Sequence, residues 1–328
     1  MFGYDSPEAK REVWPGPIKP VRDTLVSHIR KADDLIYEVD NPARDKRYIC
    51  DTAQMEYNAK EKEDVDEMVD RSGLYRDGFK PTLLQPTQFH ILHRNNKAYR
   101  VGFGSFGRIF LAQDRDTGEL VAIKGFNVAS PETVIQECGY FHQAQQMLDG
   151  DRFEKAYLRG FLKIRDDSEM SKNMKPLMCV ISLAGLTKGA PIQLTLDVAL
   201  RLSKELDISK KDWQDIMYSV VVAAKQFYDQ GLHHGDYNGR NICIGYHDNR
   251  YKLTIIDFGS SMPLEKARDK EDDLYTALTQ VLNVANKFNW THTAQCASNI
   301  VNNRWGRPKV NVDWCQVLQD LDQEMGKD

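Results

Sequence analysis

Three things are missing from this chain of 328 residues, and each absence removes a class of answer. Its 6 cysteines (Cys50, Cys138, Cys179, Cys243, Cys296, Cys315) form no CxxC pair. The common zinc-ribbon and thiol-redox spacings are therefore excluded, and free thiols in a reducing compartment are expected, because a chain this long does not need disulfides to fold. No run approaches the ~18 apolar residues of a membrane-spanning helix, and the opening MFGYDSPEAKREVWPGPIKP lacks the apolar centre of a secretory signal. No excess of basic charge exists: 44 Lys and Arg face 48 Asp and Glu, a formal net charge of −4. Nucleic-acid binding, which usually needs a positive field, is not indicated. The expected location is the cytoplasm, and signal-less secretion into a host cell is compatible with the same features.

What is present is an ordinary globular balance, 41% hydrophobic and 28% charged, with length for one large or two modest cores. Residues 1–85 differ in texture from the rest. The stretch PVRDTLVSHIRKADDLIYEV spaces Leu25, Ile29, Leu35 and Ile36 loosely at helical intervals, and NAKEKEDVDEMVDR is nearly all charge. They read as a helical, partly mobile N-terminal extension.

From residue 86 the pattern turns to strands: TQFHILHR, AYRVGFGSFGRIFLAQD and ELVAIKGFNV, the last two joined by the turn-forming DRDTGE. In SPETVIQECGYFHQAQQML, Ser130 suits a helix N-cap, Pro131 the first helical position and Glu132 the positive end of the dipole. FLKIR and LMCVISLAG supply two more strands. Beyond residue 192 helices dominate. KKDWQDIMYSVVVAAKQFYDQG sets Trp213, Met217, Val220, Val221, Ala224 and Phe227 on one broad face and stops at Gly231, delivering the chain into HHGDYNGRN. NICIGY and KLTIIDFG then pair around HDNR, and the remainder is helical.

Four separated pieces carry chemistry. In GFGSFG (102–107), Gly102, Gly104 and Gly107 let the backbone turn tightly and bring N–H groups near anionic oxygens. The strand that follows, in place of a helix, separates it from a dinucleotide fingerprint. In VAIK, Lys124 ends an apolar strand, where an unpartnered cation is costly. Glu137, thirteen residues on, is the expected partner, with Glu132 the alternative. In HHGDYNGRN, Asp236 suits proton acceptance and Asn241 suits metal holding. In IIDFG, Asp257 is a carboxylate suited to a hard cation.

In this order the pieces resemble the protein-kinase signature set of glycine-rich loop, VAIK, HRDxxxxN and DFG, over residues 95–280. The resemblance implies an α+β, bilobal protein-kinase-like fold: the extension 1–85, a β-rich N-lobe at 86–185 and a reduced helical C-lobe at 186–328. It implies ATP and Mg²⁺, with Gly102, Phe103, Gly104, Ser105, Phe106 and Gly107 over the phosphates, Lys124 on the α/β-phosphates and paired with Glu137, and Asp236 as catalytic base. Asn241 and Asp257 would hold metal, and the VISLAG segment, through Ser182 and Ala184, would receive adenine.

The departures are specific. Gly235 replaces the Arg of the HRD triplet, and position 238, often Lys in Ser/Thr kinases, is Asn. Arg240 sits where tyrosine kinases often carry Arg, and either contacts phosphate or reaches solvent. Asp273 is the acidic residue expected to steady the catalytic loop. No Ala-Pro-Glu motif follows DFG, so the segment is short for a peptide-docking platform. An HGD triplet with a trimmed C-lobe is similar to atypical, RIO-type kinases. The expected activity is an ATP-dependent protein kinase acting on a specific folded protein. A small-molecule phosphotransferase of the aminoglycoside or choline kinase type and a kinase-fold nucleotidyltransferase are the alternatives. Because the nucleotide candidates lie beyond residue 100, deletion of residues 1–80 is expected to spare nucleotide affinity.

Overall fold

The computed structural model describes residues 59–75, 78–91, 93–94, 97–98, 100–103, 107–126, 130–163, 177–183, 195–201, 203, 208–247, 250–303 and 312–327. The helical reading of residues 20–39, loop positions Gly104, Ser105 and Phe106, and Ala184 lie outside them. The chain divides into two compact units. Unit 1 is Met1–Gln145 with Ala156–Gln193, and unit 2 is Gln146–Lys155 with Leu194–Asp328. Among the described residues no helix is long and apolar enough to cross a membrane.

The described part of unit 1 opens with helix α1 (Ala59–Ser72), which buries Val65 and Val69 and leaves most of its charges in water. Strands β1 (Phe89–Ile91), β2 (His93–Arg94), β3 (Lys97–Ala98), β4 (Arg100–Phe103), β5 (Gly107–Asp114) and β6 (Leu120–Phe126) follow. After helix α2 (Pro131–Met147) come β7 (Leu158–Lys163) and β8 (Leu177–Ser182). The main sheet has the order β1-β5-β6-β8-β7, with β4 on β5, and its ladders are antiparallel. The turn at Asp114–Glu119 is built as its residues suggest: Asp114 Oδ1 accepts the N–H groups of Asp116 and Thr117, and Gly118 takes φ +71°.

Strand alternation decides what the sheet offers on each face. Val121, Ile123, Phe110, Ala112, Met178 and Val180 share one apolar cluster. Lys124, one residue out of phase with Ile123, falls on the opposite face beside its register partner Cys179. Ser130 Oγ accepts the N–H of Thr133 and starts α2, the helix that brings Glu137 to that face.

Unit 2 is organised on α4. In chain order it holds α3 (Leu196–Arg201), α4 (Lys210–Asp229), β9 (Leu232–His233), β10 (Ile242–His247), β11 (Arg250–Ile255), β12 (Met262–Pro263), α5 (Asp272–Phe288), α6 (Thr291–Asn303) and α7 (Trp314–Lys327). Ser209 caps α4 by accepting the N–H of Asp212, and Gly231 at φ +80° follows the helix end. Trp213, Ile216, Met217, Val220, Val221, Ala224 and Phe227 are buried. Trp213 meets Phe288 of α5 with ring centroids 5.5 Å apart. The antiparallel pairs β10–β11 and β9–β12 bracket the loop from His234 to Asn241 and so place both ends of the candidate site.

Candidate active site

In unit 1, Lys124 Nζ lies 2.5 Å from Glu137 Oε1, and both side chains are about a tenth exposed. The pairing follows from two periodicities: Lys124 lies on the face of β6 opposite Ile123, and Glu137 sits a turn and a half into α2. Glu132 is exposed at the helix start, where the Ser130 hydroxyl and its own N–H lower its pKa. Gly102 and Phe103 lie on β4, paired with Ile109 and Arg108, and Gly107 opens β5 opposite Phe126. Ser182 ends β8, where its N–H donates to Tyr157 O at 2.8 Å and its Oγ accepts the Tyr157 N–H at 2.7 Å. The N–H and the hydroxyl oxygen of Ser182 are thus both engaged inside unit 1.

In unit 2, both carboxylate oxygens of Asp236 are gripped by amides. Asn238 Nδ2 donates to Oδ1 at 2.6 Å and Asn241 Nδ2 donates to Oδ2 at 2.9 Å. Asn241 Nδ2 also donates to the Asp236 carbonyl at 2.9 Å. Because both partners of Asn241 are acceptors, its NH₂ must face them, which turns Oδ1 the other way. Asn238 Oδ1 in turn accepts from Arg240 N at 3.0 Å and Nε at 3.4 Å, so an exposed Arg240 is tied back to the loop.

His234 sets the spacing between loop and Asp257. Its Nδ1 accepts the N–H of Asp236 at 3.3 Å, so the tautomer carries its proton on Nε2, 3.1 Å from Ile256 O. Burial lowers the pKa of this imidazole and keeps it neutral, as that tautomer requires. Ile256 N donates to Asn241 O at 2.9 Å, which fixes the residue before Asp257 to the end of the loop. Asp257 itself takes φ 65°, a left-handed conformation uncommon outside glycine. Phe258 is buried against His234 at 4.6 Å and against Phe227 at 6.0 Å.

Gly235 occupies φ +78°, and a Cβ there would stand 2.5 Å from Ser260 O. Asp273, buried at the start of α5, accepts the N–H of His234 at 2.6 Å on Oδ2 and that of Gly235 at 3.1 Å on Oδ1. His233 Nδ1 lies 3.0 Å from Asp273 Oδ2, close in charge terms though not aligned as a hydrogen bond. Burial pushes Asp273 up, but His233, His234 and the His234 N–H outweigh it and hold the carboxyl below its usual range. The same contact raises the pKa of His233 against the opposing pull of burial.

The residues fit a Mg²⁺ nucleotide better than a free metal. Among the described residues no group of three His, Cys, Asp or Glu gathers into a metal cluster. An Asn oxygen plus one carboxylate is the donor set of an ion that takes its remaining ligands from phosphate and water. Sequence reasoning named Lys124, Glu137, Asp236, Asn241, Asp257 and Asp273, and the structure pairs Lys124 with Glu137 and sets Asp273 on the loop N–H groups. It missed Asn238, whose partner is two residues away through a side-chain bond, and the linking role of His234.

No protein-family model matches the chain. The serine/threonine-protein kinase ppk11 of Schizosaccharomyces pombe is 26% identical over 185 residues, 55% of this chain and 51% of that protein. The chain thus spans about half the length of the curated relative it matches. Among solved structures, the BubR1 kinase domain is similar over 83% of this chain and 94% of its own, with a TM-score of 0.52 at 12% identity. The chain has a protein-kinase-like, α+β fold.

Proposed function

We propose that this chain is an ATP- and Mg²⁺-dependent protein kinase that moves the γ-phosphoryl group of ATP to a hydroxyl of a specific folded protein, serine or threonine in preference to tyrosine. The observation that carries the reading is the buried Lys124–Glu137 pair. An ion pair taken out of water is often no more stabilising than apolar residues of the same volume, so its retention points to a task other than holding the sheet together. The fission-yeast relative, a serine/threonine-protein kinase, supports the class of acceptor.

In this reading Glu137 aims the Lys124 ammonium at the α/β-phosphates, and backbone N–H groups of Gly102–Gly107 cradle phosphate oxygens. Asn241 Oδ1 and the Asp257 carboxylate would hold Mg²⁺, which neutralises charge on the phosphate oxygens when bound. Asp236 orients the acceptor hydroxyl and takes its proton. The amides of Asn238 and Asn241 leave lone pairs on each carboxylate oxygen for that contact. The Ser182 carbonyl and the backbone at Ala184 would receive adenine.

The test is transfer from γ-labelled ATP with Mg²⁺ into a fractionated cell lysate, with free aminoglycosides and choline in parallel. One labelled protein carrying acid-stable phosphoserine or phosphothreonine is expected. Efficient labelling of a small molecule, or a product bearing AMP, would replace this reading with one of its two alternatives.

A further inference from the structure

Residues ahead of the sheet pack against α2, the helix that carries Glu137, on the face away from Glu137. Tyr75 Oη donates to Ile135 O at 3.0 Å, and Gln143 Nε2 donates to Leu74 O at 3.1 Å. Leu74 packs so closely on Gly139 that a Cβ there would lie 2.6 Å from the Leu74 Cβ. Phe79 stacks on His142 with ring centroids 4.5 Å apart and planes within 20°. Ile135, Gly139, His142 and Gln143 form one stripe of α2, and at about 100° per residue Glu137 projects from roughly the opposite side. Burial, and then neighbouring Cys138 and Cys179, push the Tyr75 phenol far above its usual pKa, so it is a permanent O–H donor.

The same segment is fastened to the sheet. Phe161 N donates to Thr82 O at 2.9 Å and Leu84 N donates to Phe161 O at 2.7 Å, a parallel bridge at the edge of β7. Phe161 is the register partner of Cys179, and Cys179 is the register partner of Lys124. The segment is therefore anchored on the rung of the sheet that carries Lys124, while its other end grips the helix that carries Glu137. Glu61 of α1 adds an ion pair to Lys163 of β7 at 3.2 Å.

We propose that Leu74 and Tyr75, with residues 78–84, act as a strap that sets α2 on the sheet and so positions Glu137 against Lys124, with Tyr75 and Phe79 as its positioning residues. The site for the nucleotide phosphates is then complete only with the strap docked. This reverses the expectation that residues 1–80 are dispensable for nucleotide. It rests on the reading of Lys124 as the phosphate contact.

The experiment compares wild type, the double variant Tyr75→Phe/Phe79→Ala, the conservative Phe79→Tyr and a destabilised control in unit 2, Val281→Ala, all in the full chain. Amide exchange in α2 and the KM for ATP are read together. In the double variant the amides of Glu137–Phe141 exchange faster and the KM rises about tenfold, the equivalent of ~1.4 kcal/mol of lost positioning. Phe79→Tyr behaves as wild type, and Val281→Ala leaves the KM unchanged. Unaltered α2 exchange in the double variant overturns the strap, as does an equal KM rise in Val281→Ala. If wild type neither binds nor turns over ATP, the kinase reading fails, and the exchange comparison alone still decides the strap.

Discussion

Gly235 stands where an HRD loop has its arginine, and the backbone leaves no room for one. Its φ is left-handed and its Cα faces the Ser260 carbonyl. Gly235→Ala should lose ~1–2 kcal/mol from the backbone alone, with the clash added, measurable as a lower urea midpoint and a slower enzyme. A phosphate-sensing arginine is absent, so phosphatase treatment should leave activity within a few fold. Asp257 is likewise left-handed, at φ 65°, a conformation that Asp tolerates better than most side chains; Asp257→Asn should abolish metal-dependent transfer while leaving the urea midpoint nearly unchanged. Asn238→Ala removes one of the two amides on the Asp236 carboxylate and should lower kcat far more than it raises the KM for ATP.

The elements around the loop make its stability depend on pH from two sides. His233 has a raised pKa, so its attraction to Asp273 is fully present below its ordinary 6.5 and is lost as pH rises through the raised value. His234 has a lowered pKa, so its contribution is present above 6.5 and is lost as pH falls through the lowered value. Stability should therefore peak near neutrality, and His233→Gln should flatten the alkaline arm while sparing the acid arm. A variant with an unchanged alkaline arm would remove His233 from the account.

These elements also show what the sequence could carry. The phase of α4 and the β10–β11 pair were legible because a long apolar period and a two-strand alternation are each set by local geometry. The Lys124–Glu137 pair was legible because strand phase and helix phase fix the directions of the two side chains. The strap was not, since its residues have no period and bind through carbonyls, one phenol and the space left by Gly139. Asn238 was hidden for a related reason: an Asn in a polar turn reads as solvent-facing until its amide is seen on Asp236. The charged run at 58–71 overlaps α1 (Ala59–Ser72), and its charge pattern carries no sign of the Glu61–Lys163 tie.

At the scale of the whole molecule, the residues proposed for phosphotransfer are divided between the two compact units. Lys124 and Glu137 are in unit 1, and Asp236, Asn241 and Asp257 in unit 2. A relic fold has no reason to keep both halves in order, and the central claim is that this one works. The direct measurement is steady-state phosphoryl transfer from Mg²⁺-ATP by purified wild type and Asp236→Asn, with ATP binding measured on the same samples. The expected result is transfer by wild type and a fall of about 10² to 10⁴ in kcat for Asp236→Asn, the usual contribution of a general base, with ATP affinity retained in both. Wild-type protein that binds ATP yet transfers no faster than Asp236→Asn would contradict the account and leave a nucleotide-binding scaffold in its place.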